Sequence, residues 1–296
     1  MFTSVRIQNY RSLREVDVPL GPLTVAIGAN NTGKSTFLTA VGAAVSSSGL
    51  WKLGDHDGFQ AGGGAGSVQL APVLGSPLTP FKVQLPATGP TMRTPGVQDH
   101  LGAPELASNG QNVAALVDWM LRRDRTRFFA FVDAACALIP GLKDLHISTP
   151  TAAERRIDLE AENGWTHPAD EGSAGVRLLL FFLALAWHPT PPDVVLIEEP
   201  ENGLHPARLR EVMALIRGLV DGVHAPKRIQ VVLTTHSPYL LSCVRVPDDQ
   251  VLVFSRGADG ACTAQPLDAE RLAPFLEDFA LGELWSNLGE AGLVKA

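Results

Sequence analysis

The sequence predicts an α/β fold, a mostly parallel sheet covered by helices, and three observations predict it. Strand-like apolar runs alternate with helical stretches along much of the chain. Three of those runs, LTVAI (Leu23–Ile27), VVLIE (Val194–Glu198) and IQVVLTT (Ile229–Thr235), are close to continuously apolar, as strands covered on both faces are. A glycine-rich turn, GANNTGKST (Gly28–Thr36), separates the first of them from a helical pattern.

Taken in order, TSVRIQNY reads as a strand with Val5 and Ile7 on one face, and Leu23–Ile27 as a second, more buried one. KSTFLTAVGAAV then sets Phe37, Leu38 and Val41 at helical spacing. Residues 46–110 are rich in Gly, Pro and Ser (AGGGAGS, GSPLTP, PATGP), with β-like pieces at Ser67–Leu74 and Phe81–Leu85; they read as an irregular or β-rich insertion. Gln111 to Ile139 is helical once a single break is allowed. Its middle carries Arg122, Arg123, Arg125 and Arg127, a solvated face or a contact for phosphates or a partner. RRIDLEAENGWTH reads as a hairpin turning at Asn163-Gly164. A long apolar helix (Ser173 to Trp187), the strand Val194–Glu198, an amphipathic helix from Pro206 and the strand Ile229–Thr235 come next. QVLVFS, a GADG turn and a short acidic helical end complete the chain.

The 296 residues are enough for one large α/β domain or two small ones, and 45% hydrophobic with 19% charged residues is an ordinary soluble composition. A net charge of −7 excludes a uniformly basic nucleic-acid coat, though not a local basic groove. Cys136, Cys243 and Cys262 show no CxxC spacing and read as reduced, without a metal role. The start, MFTSVRIQNYRSL, has no apolar core of a signal peptide. The apolar run LLLFFLALAW is too short to span a bilayer and reads as a buried helix. A cytoplasmic protein without a membrane partner is expected.

The chemistry is carried by four stretches. Gly28-x4-Gly33-Lys34-Ser35 fits a phosphate loop. Its glycines let backbone N–H groups converge on phosphate oxygens, with the start of the next helix adding a favourable dipole. Lys34 supplies a mobile charge for the β- and γ-phosphates, and the Ser35 hydroxyl a ligand for Mg²⁺. VVLIEEPENGLHP ends an apolar strand in Glu198-Glu199, two carboxylates at the edge where open α/β sheets bind ligands. One can hold Mg²⁺ and the other can orient or deprotonate the attacking water. VVLTTHSP brings Thr234, Thr235 and His236 to the same edge, where the imidazole can donate to the γ-phosphate or the water. EGSAGVR sets Ser173 and Gly175 at the start of the apolar helix, a second anion site that makes sense if it closes over the nucleotide of another subunit.

The order phosphate loop, GSAGVR, LIEEPENGLHP, TTHSP resembles the ATP-binding-cassette (ABC) ATPases of the group that contains RecF, the SMC proteins and the OLD-type ATPases, and within it the AAA15/AAA_21-type stand-alone branch. The opening VRIQNYRSLREVDVPLGPLTVAIGANNTGKST is similar to that group almost throughout, including the Asn-aromatic-Arg-Ser element at Asn9 to Ser12. The likeness covers residues 1–45 and about 170–256 well, and the insertion poorly. It implies a P-loop fold, an ABC-type head with antiparallel β elements and a helical subdomain. It further implies ATP and Mg²⁺ as ligands, with Gly28, Asn30, Asn31, Thr32, Gly33, Lys34, Ser35 and Thr36 around the nucleotide. Glu198 would take the Walker B metal position beside Ser35. Glu199 would be the catalytic base, and His236 the switch histidine. Ser173 and Gly175 would contact the γ-phosphate in trans, and Asn202 to His205 would form the D-loop.

This chain departs from the pattern in places. Glu198 replaces the usual aspartate and Gly172 the leading leucine of the signature. Gln60, Gln69, Gln84 and Gln98 all remain candidates for the Q-loop glutamine. The 60 residues after His236 are too few for a Toprim nuclease, and the 138 between Lys34 and Ser173 too few for a coiled-coil arm.

The resemblance leads to one ABC-type domain over 1–296. Its core is 1–45 and 170–260, with 46–169 as insertion plus helical signature subdomain and 261–296 as tail. The expected function is an ATP-hydrolysing, ATP-dimerising motor or sensor in DNA maintenance or anti-phage defence, acting with a separately encoded, nuclease-like effector. The alternatives are a RecF-like DNA-binding repair clamp, a transporter's ATPase subunit and a scaffold with negligible turnover.

Overall fold

The computed structural model describes residues 1–52, 66–72, 78–86, 89–95 and 102–295. Gln60, Gln98, Leu74 and much of the Gly/Pro-rich insertion lie outside them. The elements in order are β1 (Ser4–Tyr10), β2 (Leu13–Pro19), β3 (Leu23–Ile27), α1 (Lys34–Ser46), β4 (Leu50–Lys52), β5 (Ser67–Ala71), β6 (Pro80–Val83) and β7 (Arg93–Thr94). Next come α2 (Val113–Arg123), α3 (Arg125–Leu138), β8 (Leu142–Ser148), β9 (Arg155–Ala161), β10 (Thr166–Pro168), α4 (Ala174–Ala186), β11 (Val194–Glu198) and α5 (Leu209–Asp221). The chain finishes with β12 (Gln230–Thr235), α6 (Pro238–Leu241), β13 (Gln250–Arg256), β14 (Cys262–Pro266), α7 (Ala269–Leu276) and α8 (Leu281–Leu288). The chain forms two compact units, Met1–Lys82 with Pro192–Glu201 and Ile229–Ala296, and Val83–Pro191 with Asn202–Arg228.

The first unit holds a ten-stranded sheet in the order β4-β5-β1-β2-β14-β13-β3-β12-β11-β6. Its centre is parallel: β13, β3, β12 and β11 run the same way. Thr79, just before β6, bonds to Asp193 just before β11, while Lys82 and Glu198 meet near the other ends, so β6 continues the parallel block. All five residues of β3 and all six of β12 are buried, the reason these runs carry no polar alternation. The flank is antiparallel, with β2 against β1 and β5 and β4 beyond. In β2, Val16 and Val18 point inward while Arg14, Glu15 and Asp17 face water. α1 packs its Phe37, Leu38 and Val41 into the sheet, with Phe37 edge-on to Phe254 at 5.2 Å. Each such side chain stabilises the unit by roughly 1.5–3 kcal/mol. Further along, α8 lies hard against α6: a Cβ on Gly282 would stand 1.9 Å from the Pro238 carbonyl oxygen.

The second unit is built on α4, in which every residue from Leu178 to Ala186 is buried. α2, α3 and α5 surround it. The predicted break in the 111–139 stretch falls at Asp124, whose non-helical backbone ends α2 and whose carboxylate accepts the Arg127 N–H at 3.1 Å to begin α3. β9 pairs antiparallel with β8, β7 and β10, and Asn163-Gly164 turns the β9–β10 hairpin as expected. Asp118 is buried between Arg155 and Arg122, 3.0 Å from each.

Candidate functional site

β3 ends at Ile27 and α1 begins at Lys34, so Gly28 to Gly33 make the turn between them. Gly28 (φ 147°), Asn31 (63°) and Gly33 (94°) take left-handed backbone there. The turn is closely packed: a Cβ on Gly28 would lie 2.4 Å from the Phe254 oxygen, and one on Gly33 3.0 Å from Leu13 and 3.1 Å from Cys262. Thr32 closes it by donating to the Ala29 carbonyl at 2.8 Å.

No side chain caps α1 among the described residues and no acid lies in its first turn, so its leading N–H groups and positive dipole are left for an anion. The Lys34 ammonium folds back onto the Gly28 and Ala29 carbonyls, at 2.7 and 2.8 Å. Burial pushes Lys34 below the ordinary lysine range, while Glu199, Glu201, Glu290 and Glu198 push it back up. Asn30, Asn31 and Ser35 are exposed, and Thr36 is half-buried. This donor set fits a polyphosphate.

Strand register brings the other residues to the same edge. Thr235 pairs with Ile27 and Thr234 with Glu198, so Gly28, His236 and Glu199 all emerge from the carboxyl ends of three adjacent parallel strands. Glu198 is half-buried with Lys82 3.5 Å away. Glu199 leaves the strand in left-handed backbone, φ 46°, and its N–H donates to the Thr234 carbonyl at 3.0 Å. Such backbone costs about 1–3 kcal/mol at a non-glycine residue and persists where surroundings hold it. Its carboxylate meets His236 Nδ1 at 2.9 Å.

A third carboxyl, Glu201, is one that sequence reasoning missed. It accepts the Thr235 hydroxyl at 2.6 Å and the His236 N–H at 3.1 Å. Burial raises it above the ordinary carboxylate range, and the bonds it accepts oppose that only in part. The signal was the third acid of EEPEN, whose partner depends on where the β12 end folds.

Ser173 and Gly175 lie in the second unit. The Ser173 hydroxyl accepts the Val176 N–H at 3.3 Å as the cap of α4, and Gly175 stands in its first turn. Asn202 to His205 also belong to that unit, with His205 Nδ1 accepting the Ala207 N–H at 3.3 Å. Of the four clustered arginines, Arg122 is held by Asp118, and Arg127 by Asp124 and the Trp187 carbonyl; Arg123 and Arg125 are exposed. Gln69 sits in antiparallel β5, whereas Gln84 comes directly after β6, the strand beside β11. No helix of the described residues is long and apolar enough to cross a membrane.

Residues 1–46 match a family described as "AAA ATPase domain". Residues 117–242 match one described as "AAA domain, putative AbiEii toxin, Type IV TA system". Over 41 residues the chain is 44% identical to the OLD nuclease of Thermus scotoductus, which covers 14% of this chain and 8% of that protein. The chain therefore matches only a small part of that relative's length. Among solved structures, an SMC head bound to the C-terminal winged-helix domain of ScpA is similar at 14% identity and TM-score 0.58, over 91% of this chain and 99% of that one. The SMC head of Pyrococcus furiosus with an extended coiled coil, bound to the C-terminal domain of ScpA, is similar at 13% and 0.53, over 94% and 98%. These two likenesses speak for the fold. Motif order and the two family matches, over 1–46 and 117–242, together with the short OLD likeness, support an ABC/SMC-like ATPase of the OLD group.

Proposed function

We propose that this chain binds ATP with Mg²⁺, dimerises on it and hydrolyses it, as a motor or sensor that works with a separately encoded effector. The observation that carries the reading is the register of β3, β12 and β11, which gathers Lys34, Glu198, Glu199 and His236 at one sheet edge. Lys34 would swing from the Gly28 and Ala29 carbonyls to the β- and γ-phosphates, where the uncapped start of α1 adds its N–H groups. Asn30, Asn31, Thr32, Gly33 and Thr36 would line the same cradle. Ser35 and Glu198 would hold Mg²⁺, which when bound neutralises developing charge on the phosphate oxygens. Glu199 would orient and deprotonate water, and His236 would turn its outer nitrogen to the γ-phosphate.

In the dimer, Ser173 and Gly175 would serve the nucleotide of the other subunit, because a cassette of this kind completes its phosphate shell from two copies. Gln84 fits the Q-loop position, since it comes directly after the strand beside β11. The link to DNA maintenance or defence rests on family likeness. The reading as a DNA clamp draws on Arg123 and Arg125, two exposed members of the arginine cluster in the second unit. Phosphate release with wild type and Lys34→Ala tests the core claim. Turnover in the wild type that is lost in the variant supports it, and equal rates in both would reject it.

A further inference from the structure

His236 stands just past the end of β12, beyond the reach of the strand ladder. An imidazole delivered by a strand end needs another group to fix where its backbone sits. That group here is one oxygen of Glu201, which accepts the His236 N–H at 3.1 Å and the Thr235 hydroxyl at 2.6 Å. The Thr235 oxygen in turn accepts the Ser237 N–H at 3.0 Å. One carboxyl oxygen thereby fixes three consecutive residues, two directly and one through Thr235. The Glu201 side chain is only 8% exposed, and its second oxygen is buried without a hydrogen-bond partner among the described residues. Burying a half-satisfied carboxyl is costly, and an apolar side chain would fill the space more cheaply. What the carboxyl supplies is geometry. The His236 imidazole itself meets Glu199 through Nδ1 at 2.9 Å, with the same Glu201 oxygen 3.7 Å from that nitrogen, so two acids of one loop face one edge of the ring.

We infer that Glu201 is a positioning residue for the hydrolytic site, a clamp that sets the His236 imidazole against Glu199. The inference rests on the reading of His236 as the group that faces the γ-phosphate. Glu201 acts through His236 and not on the nucleotide, so its loss slows turnover and leaves affinity in place.

The test uses the full chain, with steady-state phosphate release for kcat and a fluorescent ATP analogue for affinity. The variants are Glu201→Ala, Glu201→Gln, His236→Ala and the double variant Glu201→Ala/His236→Ala. Glu201→Ala is expected to lower kcat by about 100-fold, the cost of a small misplacement at a reacting group, with nucleotide affinity unchanged within about threefold. Glu201→Gln keeps a carbonyl oxygen for both donors and recovers most of the lost rate. The double variant is no slower than the slower single one, because both changes remove the same function. A wild-type kcat in Glu201→Ala, a Glu201→Gln as slow as Glu201→Ala, or additive losses in the double variant would each overturn the inference. Where Glu201→Ala fails to fold, Thr235→Val carries the test: it removes the donor to Glu201 and is expected to lower kcat, and a wild-type rate overturns the clamp. Should His236→Ala turn over ATP normally, the reading of His236 itself fails. A slow His236→Ala beside a normal Glu201→Ala sinks only the clamp.

Discussion

Glu199 Oε1 and His236 Nδ1 lie 2.9 Å apart, so the carboxylate assigned to the water and the imidazole assigned to the phosphate are partners in this structure. A carboxylate only accepts, so Nδ1 carries the proton and Nε2 is the nitrogen left to look outward. Each group thus fixes the other's orientation before any nucleotide arrives.

Replacing Glu199 by Gln separates holding from chemistry. The amide oxygen still accepts from Nδ1, so the pair survives, but an amide takes no proton from water. Glu199→Gln is expected to bind ATP normally and to lose at least about 100-fold in kcat. With saturating magnesium and nucleotide it also collects as a dimer, read by light scattering. Normal turnover in this variant would sink the assignment of the base.

Gly28→Ala puts a methyl 2.4 Å from the Phe254 carbonyl and forces alanine to φ 147°. The expected cost is about 1–3 kcal/mol of stability. At about 2–4 °C per kcal/mol for a chain of this size, thermal unfolding reads it directly. Nucleotide affinity falls with it, because the same residue shapes the cradle. An unchanged melting temperature would mean that the turn relaxes freely.

At Ser173 two roles can be told apart. Its hydroxyl caps α4, so Ser173→Ala is expected to lose about 1 kcal/mol of stability. Ser173→Asp keeps a capping oxygen but sets a negative charge where a triphosphate would dock. It should melt like wild type and fail to dimerise on ATP. Dimerisation at wild-type affinity in the aspartate variant leaves Ser173 a cap and nothing more.

The Glu201 carboxyl gives a pH signature. Burial raises its folded-state value above that of the unfolded chain. The stability it contributes is therefore complete below the ordinary glutamate range and is lost as pH climbs through the folded-state value. Glu201→Gln does not titrate. Its melting temperature relative to wild type should rise as pH climbs from the ordinary glutamate range, about pH 4, toward the raised folded-state value. A difference that stays flat over that span rules burial out as the dominant influence on this side chain.

Much of this site was legible because its residues sit at the ends of strands whose apolar character is local. Leu23–Ile27, Val194–Glu198 and Gln230–Thr235 announce themselves, and Gly28, Glu198, Glu199 and His236 stand at or just past their carboxyl ends. Legibility failed where placement depends on distant pairing. β2 and β8 alternate charged and apolar residues, and only their antiparallel neighbours make them strands. Nothing local in the sequence set Gln84 next to the strand beside β11 or Gln69 in β5 on the opposite flank; the sheet order does. Arg122 and Arg127 looked like a surface cluster, yet Asp118 and Asp124, one helical turn away, hold them. Glu201 stayed hidden because its partners lie 34 and 35 residues further on.

The absence of a side chain at Gly282 leaves α8 and the start of α6 no slack between them. Any tilt or rotation of that last helix must push directly on the backbone two residues beyond His236. A crosslink, a fused reporter or a bound protein that loads α8 would thus bear on the backbone that follows His236.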